Sequence, residues 1–184
     1  MAIVDYHPID LFMIRPDDSL RLLGYDYDVP PALILDRRQV ELPSEIQEFA
    51  EAIANYVEVA KSESSFVSLW LSGEADSASG KVFVKAAMDT FETGANLRLK
   101  CVITEDSVVD SMGLRYPRVA RRFLPDLQGK PFAVARFDTL YDTLSFSCAG
   151  FQPGQLSAVV SVEDVNSNHA LQAAELRRFV LKED

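Results

Sequence analysis

Leu97-Arg98-Leu99-Lys100-Cys101-Val102-Ile103-Thr104-Glu105-Asp106 is the stretch on which the fold turns. Leu97, Leu99, Cys101 and Ile103 share one face of an extended chain while Arg98, Lys100 and Thr104 share the other, the period of a half-buried strand. Val102 is the single break. A later stretch, Leu156 to Asp164, repeats the ending: Ala158-Val159-Val160-Ser161-Val162 runs into Glu163-Asp164 as Val102-Ile103-Thr104 runs into Glu105-Asp106. Both are predicted to be strands, the first as the spine of a sheet. Neither carries any chemistry, and no catalytic constellation or metal-ligand spacing occurs along the chain.

Outward from this spine the pattern is strand and turn. Phe66 to Leu71 and Lys81 to Asp89 flank the turn signal Ser77-Ala78-Ser79-Gly80 and predict a hairpin. Pro131 to Phe137, Thr143 to Phe151 and Leu156 to Val162 follow, with Gln152-Pro153-Gly154 as the turn between the last two. Short strands separated by Gly and Pro turns predict an antiparallel β-sandwich over residues 63–184. Asn166-Ser167-Asn168 reads as the cap of a closing helix, His169 to Phe179, with a closing strand as the alternative.

The first third reads differently. Ala2 to His7 predicts a short strand that starts without preamble, as if something were missing upstream. A helix over Asp17 to Leu23, a turn at Tyr25 to Pro31 and an apolar strand Ala32 to Asp36 follow, after which Arg37-Arg38 turns the chain outward. Ser44 as N-cap and Gln47 three residues on open a helix whose stripe is Ile46, Phe49, Ala50, Ile53, Tyr56, Val57 and Ala60. Glu45, Glu48, Glu51, Asn55 and Glu58 take its wet side. Strand, helix, strand, helix make residues 1–62 a small α/β unit, so the predicted class is α+β, with the boundary in the polar run Lys61 to Ser65.

Eighteen basic against twenty-eight acidic residues leave a net charge of −10, which argues against nucleic acid or an anionic membrane as the main partner. No apolar run approaches the ~20 residues that span a bilayer, and Met1 to Asp5 has neither the basic start nor the apolar middle of a signal peptide. The chain is still compatible with a piece of a longer secreted protein. Cys101 and Cys148 are too distant in sequence for a redox or zinc motif; each reads as a small buried apolar residue, with a disulfide between them as the alternative. His7 has no cluster of ligands around it and reads as structural.

One segment departs from the acidic balance. Between Ser107 and Lys130, assigned to neither sheet, Arg115, Arg118, Arg121, Arg122 and Lys130 outnumber Asp110 and Asp126. Such a patch suits an anion, a phosphate or an acidic protein partner, or else pairs with the protein's own surplus carboxylates. Glu105-Asp106 and Glu163-Asp164 together are a candidate set for a hard cation such as calcium, the alternative being solvated strand ends; no cofactor and no metal are expected.

Three groups of residues carry a resemblance. The run Leu97 to Val109, the Tyr116 to Pro131 segment ending Leu-Gln-Gly-Lys-Pro, and the late Leu-Ser-Ala-Val-Val-Ser-Val-Glu-Asp followed by His169-Ala-Leu-Gln-Ala-Ala resemble the twenty-eight-kilodalton outer-membrane protein family of Bacteroidetes. Members join a thioredoxin-like region to a C-terminal β-sandwich, and Ile3 to Pro8 with Gly24-Tyr25 and Val29 to Arg37 is similar to the second half of such a region. The resemblance implies a structural cis-proline at Pro30 and an extracytoplasmic location at the periplasm or outer-membrane surface. The family's Cys-x-x-Cys half-domain and lipid-anchoring N-terminal cysteine have no counterpart in this chain. Two functions follow as expectations: a non-catalytic interaction or structural module of an exported, outer-membrane-associated protein, or a fragment of a thiol-disulfide oxidoreductase whose active half lies upstream.

Overall fold

The computed structural model describes residues 33–35, 38–40, the helical positions 51, 54, 55, 58, 59 and 62, and residues 65–182 apart from 90–95, 110–111, 135 and 168. The described elements are thirteen strands and one 3-10 turn, Pro153–Gln155. The expected α+β chain with a thioredoxin-like first part is therefore corrected: the described residues are dominated by antiparallel β-structure. In the N-terminal region β1 (Leu33–Leu35) and β2 (Arg38–Val40) form a two-stranded antiparallel ribbon. Arg38 begins the returning strand, opposite Leu35. Among the described residues both strands pair only with each other. Helical positions 51, 55 and 58 are exposed, as the polar stripe of Glu51, Asn55 and Glu58 requires. The short helix at Asp17 to Leu23, the cap at Ser44, His7 and the bond preceding Pro30 lie outside the described residues.

The remainder is a sandwich of two sheets. One has the order β10 (Thr139–Ser147), β4 (Ser79–Met88), β3 (Val67–Ala75), β13 (Val180–Leu181), antiparallel except for the parallel contact of β13 with β3. The other runs β12 (His169–Leu176), β11 (Leu156–Asp164), β5 (Leu97–Glu105), β8 (Val119–Leu124), with β9 (Lys130–Pro131) also on β5. A two-stranded ribbon, β6 (Val108–Val109) with β7 (Arg115–Tyr116), stands between β5 and β8 in sequence. β3 turns into β4 because the Asp76 carboxylate accepts the backbone N–H groups of Ala78 at 2.8 Å and Ser79 at 2.7 Å, a side chain standing in for a backbone turn.

Alternation sets the core. Val82, Val84 and Ala86 of β4 face Leu99, Cys101 and Ile103 of β5 and Ala158, Val160 and Val162 of β11, all within one buried cluster. The central stretch was read correctly as a strand. The closing helix was not: His169–Leu176 is a strand along β11, the alternative reading. Its register shifts between Val162 and Glu163, leaving Leu171 as the extra residue of a β-bulge. The bulge breaks the two-residue period, so Ala170, Leu171 and Ala174 imitate a helical stripe while seven backbone pairings hold the segment extended.

Both cysteines are free and buried, which answers the disulfide alternative. Burial pushes the Cys101 thiol up to about 12, and burial with the Asp76 carboxylate raises Cys148 as well. The thiolate is the reactive species, so neither thiol is expected to react with a thiol reagent in the native protein or to reduce insulin. Turnover abolished by Cys101→Ser would contradict this.

Candidate functional site

The segment 107–130, expected to belong to neither sheet, contributes β8 and the start of β9 to the second sheet. The pairing of β8 with β5 shifts between Ile103 and Thr104: Arg122 lies opposite Ile103 and Ala120 opposite Thr104, so Arg121 is the extra residue of a second bulge. A bulge turns two successive side chains toward one side. Both guanidinium groups accordingly lie over Phe151, Arg121 at 4.8 Å and Arg122 at 5.2 Å from the ring centroid.

The segment's cations are mostly engaged by the protein's own carboxylates. Arg121 Nε faces Glu105 Oε2 at 3.1 Å, an ion pair without hydrogen-bond alignment, while Glu105 Oε1 accepts the Gln152 N–H at 2.8 Å. Arg118 Nη2 meets Glu175 Oε1 at 2.6 Å, and its backbone N–H donates to Asp106 Oδ1 at 3.0 Å. Glu175 is on β12, three strands from β8, roughly 14 Å at ordinary strand spacing. An arginine side chain does not cross that gap alone, so the chain around Arg118 folds over the sheet's outer face. Lys130 pairs with Asp142 of β10, tying the two sheets together at this edge. Arg115 on β7 is exposed and has no carboxylate partner among the described residues.

The paired carboxylates do not meet. β5 and β11 are antiparallel with Glu105 opposite Leu156 and Asp164 opposite Leu97. Eight residues of strand separate the two acidic pairs, roughly 27 Å at ~3.4 Å per residue, so the candidate calcium set is not assembled. Among the described residues no group of three or more His, Cys, Asp or Glu is placed to hold a metal. Glu163 instead pairs with Lys100 at 2.9 Å and accepts the Ser161 hydroxyl.

Asp164 caps a turn. Partial burial pushes its carboxyl up, but hydrogen bonds from the Ser167 hydroxyl and the N–H groups of Asn166, Asn96 and Ser167 outweigh that and hold it below the ordinary carboxylate value. A depressed folded value contributes stability above the unfolded value of ~3.9, lost as pH falls through the folded value. Asp164→Asn is expected to flatten the acid limb of the unfolding midpoint plotted against pH below about 4. An unchanged acid limb would contradict the assignment.

The surface that sequence reading missed is the outer face of the four-stranded sheet. Trp70 and Tyr141 each lie beside Lys85 in register, making one row across β3, β4 and β10. The Lys85 ammonium sits 5.1 Å from the Trp70 ring centroid and 5.9 Å from that of Tyr141. Trp70 is 51% and Tyr141 72% exposed, and Lys85 has no carboxylate partner among the described residues. The next row is Ser72, Phe83 and Thr143. The signal in the sequence was the polar phase of each strand, Ser68, Trp70 and Ser72 against Val67, Leu69 and Leu71; an aromatic residue in that phase is the hint.

No family model and no curated protein matches the sequence. Among solved structures the chain is similar to HBP35 of Porphyromonas gingivalis, with a TM-score of 0.69 and 13% identity, over 90% of this chain and 59% of that one. The chain thus spans 59% of the length of that structure. A domain of the outer membrane lipoprotein Omp28 from Porphyromonas gingivalis superposes with a TM-score of 0.49 and 14% identity, over 66% of this chain and 93% of that one. The similarity to HBP35 is one of fold.

Proposed function

We propose that the chain is a non-catalytic binding module of an exported, outer-membrane-associated bacterial protein, and that it engages its partner through the outer face of the sheet β10-β4-β3-β13. The observation that carries this is the Trp70-Lys85-Tyr141 row, two large aromatic rings kept in water on regular strands around a cation without a counter-ion among the described residues. Exposed aromatic residues on a rigid scaffold are the usual anchors of recognition. The location is supported by the sequence resemblance to the twenty-eight-kilodalton outer-membrane proteins. The purified chain is expected to bind envelope fractions of its own bacterium, and Trp70→Ala with Tyr141→Ala to weaken that binding by about thirtyfold, roughly 2 kcal/mol. Unchanged binding by the double variant would refute it.

A second reading keeps the 107–130 segment as an anion or partner site. It is favoured by Arg115, exposed, and by Arg122, whose guanidinium rests on Phe151, neither of which has a carboxylate partner among the described residues. In the same assay, loss on Arg115→Ala or Arg122→Ala with Trp70→Ala unaffected selects this reading.

A further inference from the structure

Taking the outer sheet face as the docking surface, we infer that the partner it fits is a saccharide chain bearing carboxylate groups. Composition is the first ground. Apart from Ala87, the outward positions of β3, β4 and β10 carry no aliphatic side chain: Trp70, Phe83 and Tyr141 are set among serine and threonine hydroxyls. The core of a protein–protein interface is enriched in aromatic residues, Met and Arg and depleted of Ser and Lys. This face has the aromatic residues but serine and lysine in place of the others. Rings flanked by hydroxyls instead match a pyranose, whose C–H face stacks on an aromatic ring while its edge exchanges hydroxyl hydrogen bonds.

Spacing is the second ground. Trp70 and Tyr141 stand two strands apart, roughly 9–10 Å, with Lys85 midway. A chain laid across the strands puts one sugar over Trp70, the acid group of the next beside the Lys85 ammonium, and a third over Tyr141. Charge is the third ground. Glu74, opposite Lys81 in the same sheet, is held by Lys182 at 2.7 Å, and among the described residues Lys85 beside the two rings has no carboxylate partner. The net charge of −10 does not cancel this attraction, because charges beyond ~8 Å are screened at physiological salt.

Trp70 is the sole tryptophan of the chain, so its fluorescence reports on this row directly. Polygalacturonate, alginate and hyaluronate are titrated into the full chain, with dextran as the neutral polymer and poly-glutamate as the acidic polypeptide. At least one acidic polysaccharide is expected to perturb Trp70 fluorescence saturably and to retard the protein in an affinity gel. Lys85→Gln should weaken retardation by about tenfold and Trp70→Ala or Tyr141→Ala should abolish it. All three side chains are exposed, so loss is read against an unchanged thermal midpoint. No response to any acidic polysaccharide, equal retention by dextran, or retention by poly-glutamate alone overturns the inference. If envelope binding still depends on Trp70 in those cases, only the saccharide assignment falls; if that dependence is also absent, the docking face falls with it.

Discussion

Phe146→Ala is expected to cost about 4 kcal/mol of folding stability and to lower the thermal midpoint by roughly 8–16 °C. Phe146 is 8% exposed and lies on β10 directly opposite Gly80 of β4. A Cβ built on Gly80 would stand 2.2 Å from a ring carbon, so the ring rests on bare backbone and the pair interlocks. The ring also meets Phe179 edge to face, centroids 5.6 Å apart at 67°, a contact worth ~0.5–1.5 kcal/mol beyond area burial. Removing it opens a cavity that Gly80 cannot fill. Gly80→Ala alone should cost about 1–3 kcal/mol by forcing the ring aside, and the double variant should cost less than the sum of the two. Urea unfolding of the four proteins measures the cycle; additive costs would show that the two positions do not share the space.

Glu105→Ala is expected to cost about 3 kcal/mol. The residue is 6% exposed, and both carboxylate oxygens are used, one on Arg121 and one on the Gln152 N–H. Deleting one partner of a buried pair costs ~3–5 kcal/mol because the other charge is left without compensation. Arg121 keeps about a fifth of its side chain in water, which places the cost at the lower end of that range. The Gln152 N–H also loses its acceptor, and with it the turn that carries Phe151 beneath the two arginines. In a Glu105→Ala, Arg121→Ala cycle followed by urea unfolding, a coupling of at least 1 kcal/mol is the expected result. Costs that add within ~0.5 kcal/mol would mean that the ion pair does not hold this corner.

The strands with unbroken alternation were legible from local residues. Val82, Val84 and Ala86 against Lys81, Phe83 and Lys85, or Leu97, Leu99, Cys101 and Ile103 against Arg98 and Lys100, state both the strand and its buried face, because a period of two has no other geometric realisation. Buried free cysteines were legible for the same reason, each lying in an apolar strand context.

Where alternation fails, only pairing with a neighbouring strand decides. Leu171 and Arg121 are bulge residues, opposite the Val162/Glu163 and Ile103/Thr104 steps, and each breaks the two-residue period of its own strand, so a true strand read as a helix in one case and as a stray basic segment in the other. The repeated Glu-Asp ending suggested a common site, yet the antiparallel order of β5 and β11 sends the two ends apart. Which arginines meet carboxylates is likewise a product of topology: Arg118 finds Glu175 because the chain folds across a sheet whose far edge is β12. Residue order along the chain determined which segments extend and which face of each is apolar, since that pattern is local. The placing of Trp70, Lys85 and Tyr141 in one row, from positions 70 to 141 of the chain, came from tertiary register alone, since nothing local to any one strand specifies its neighbour.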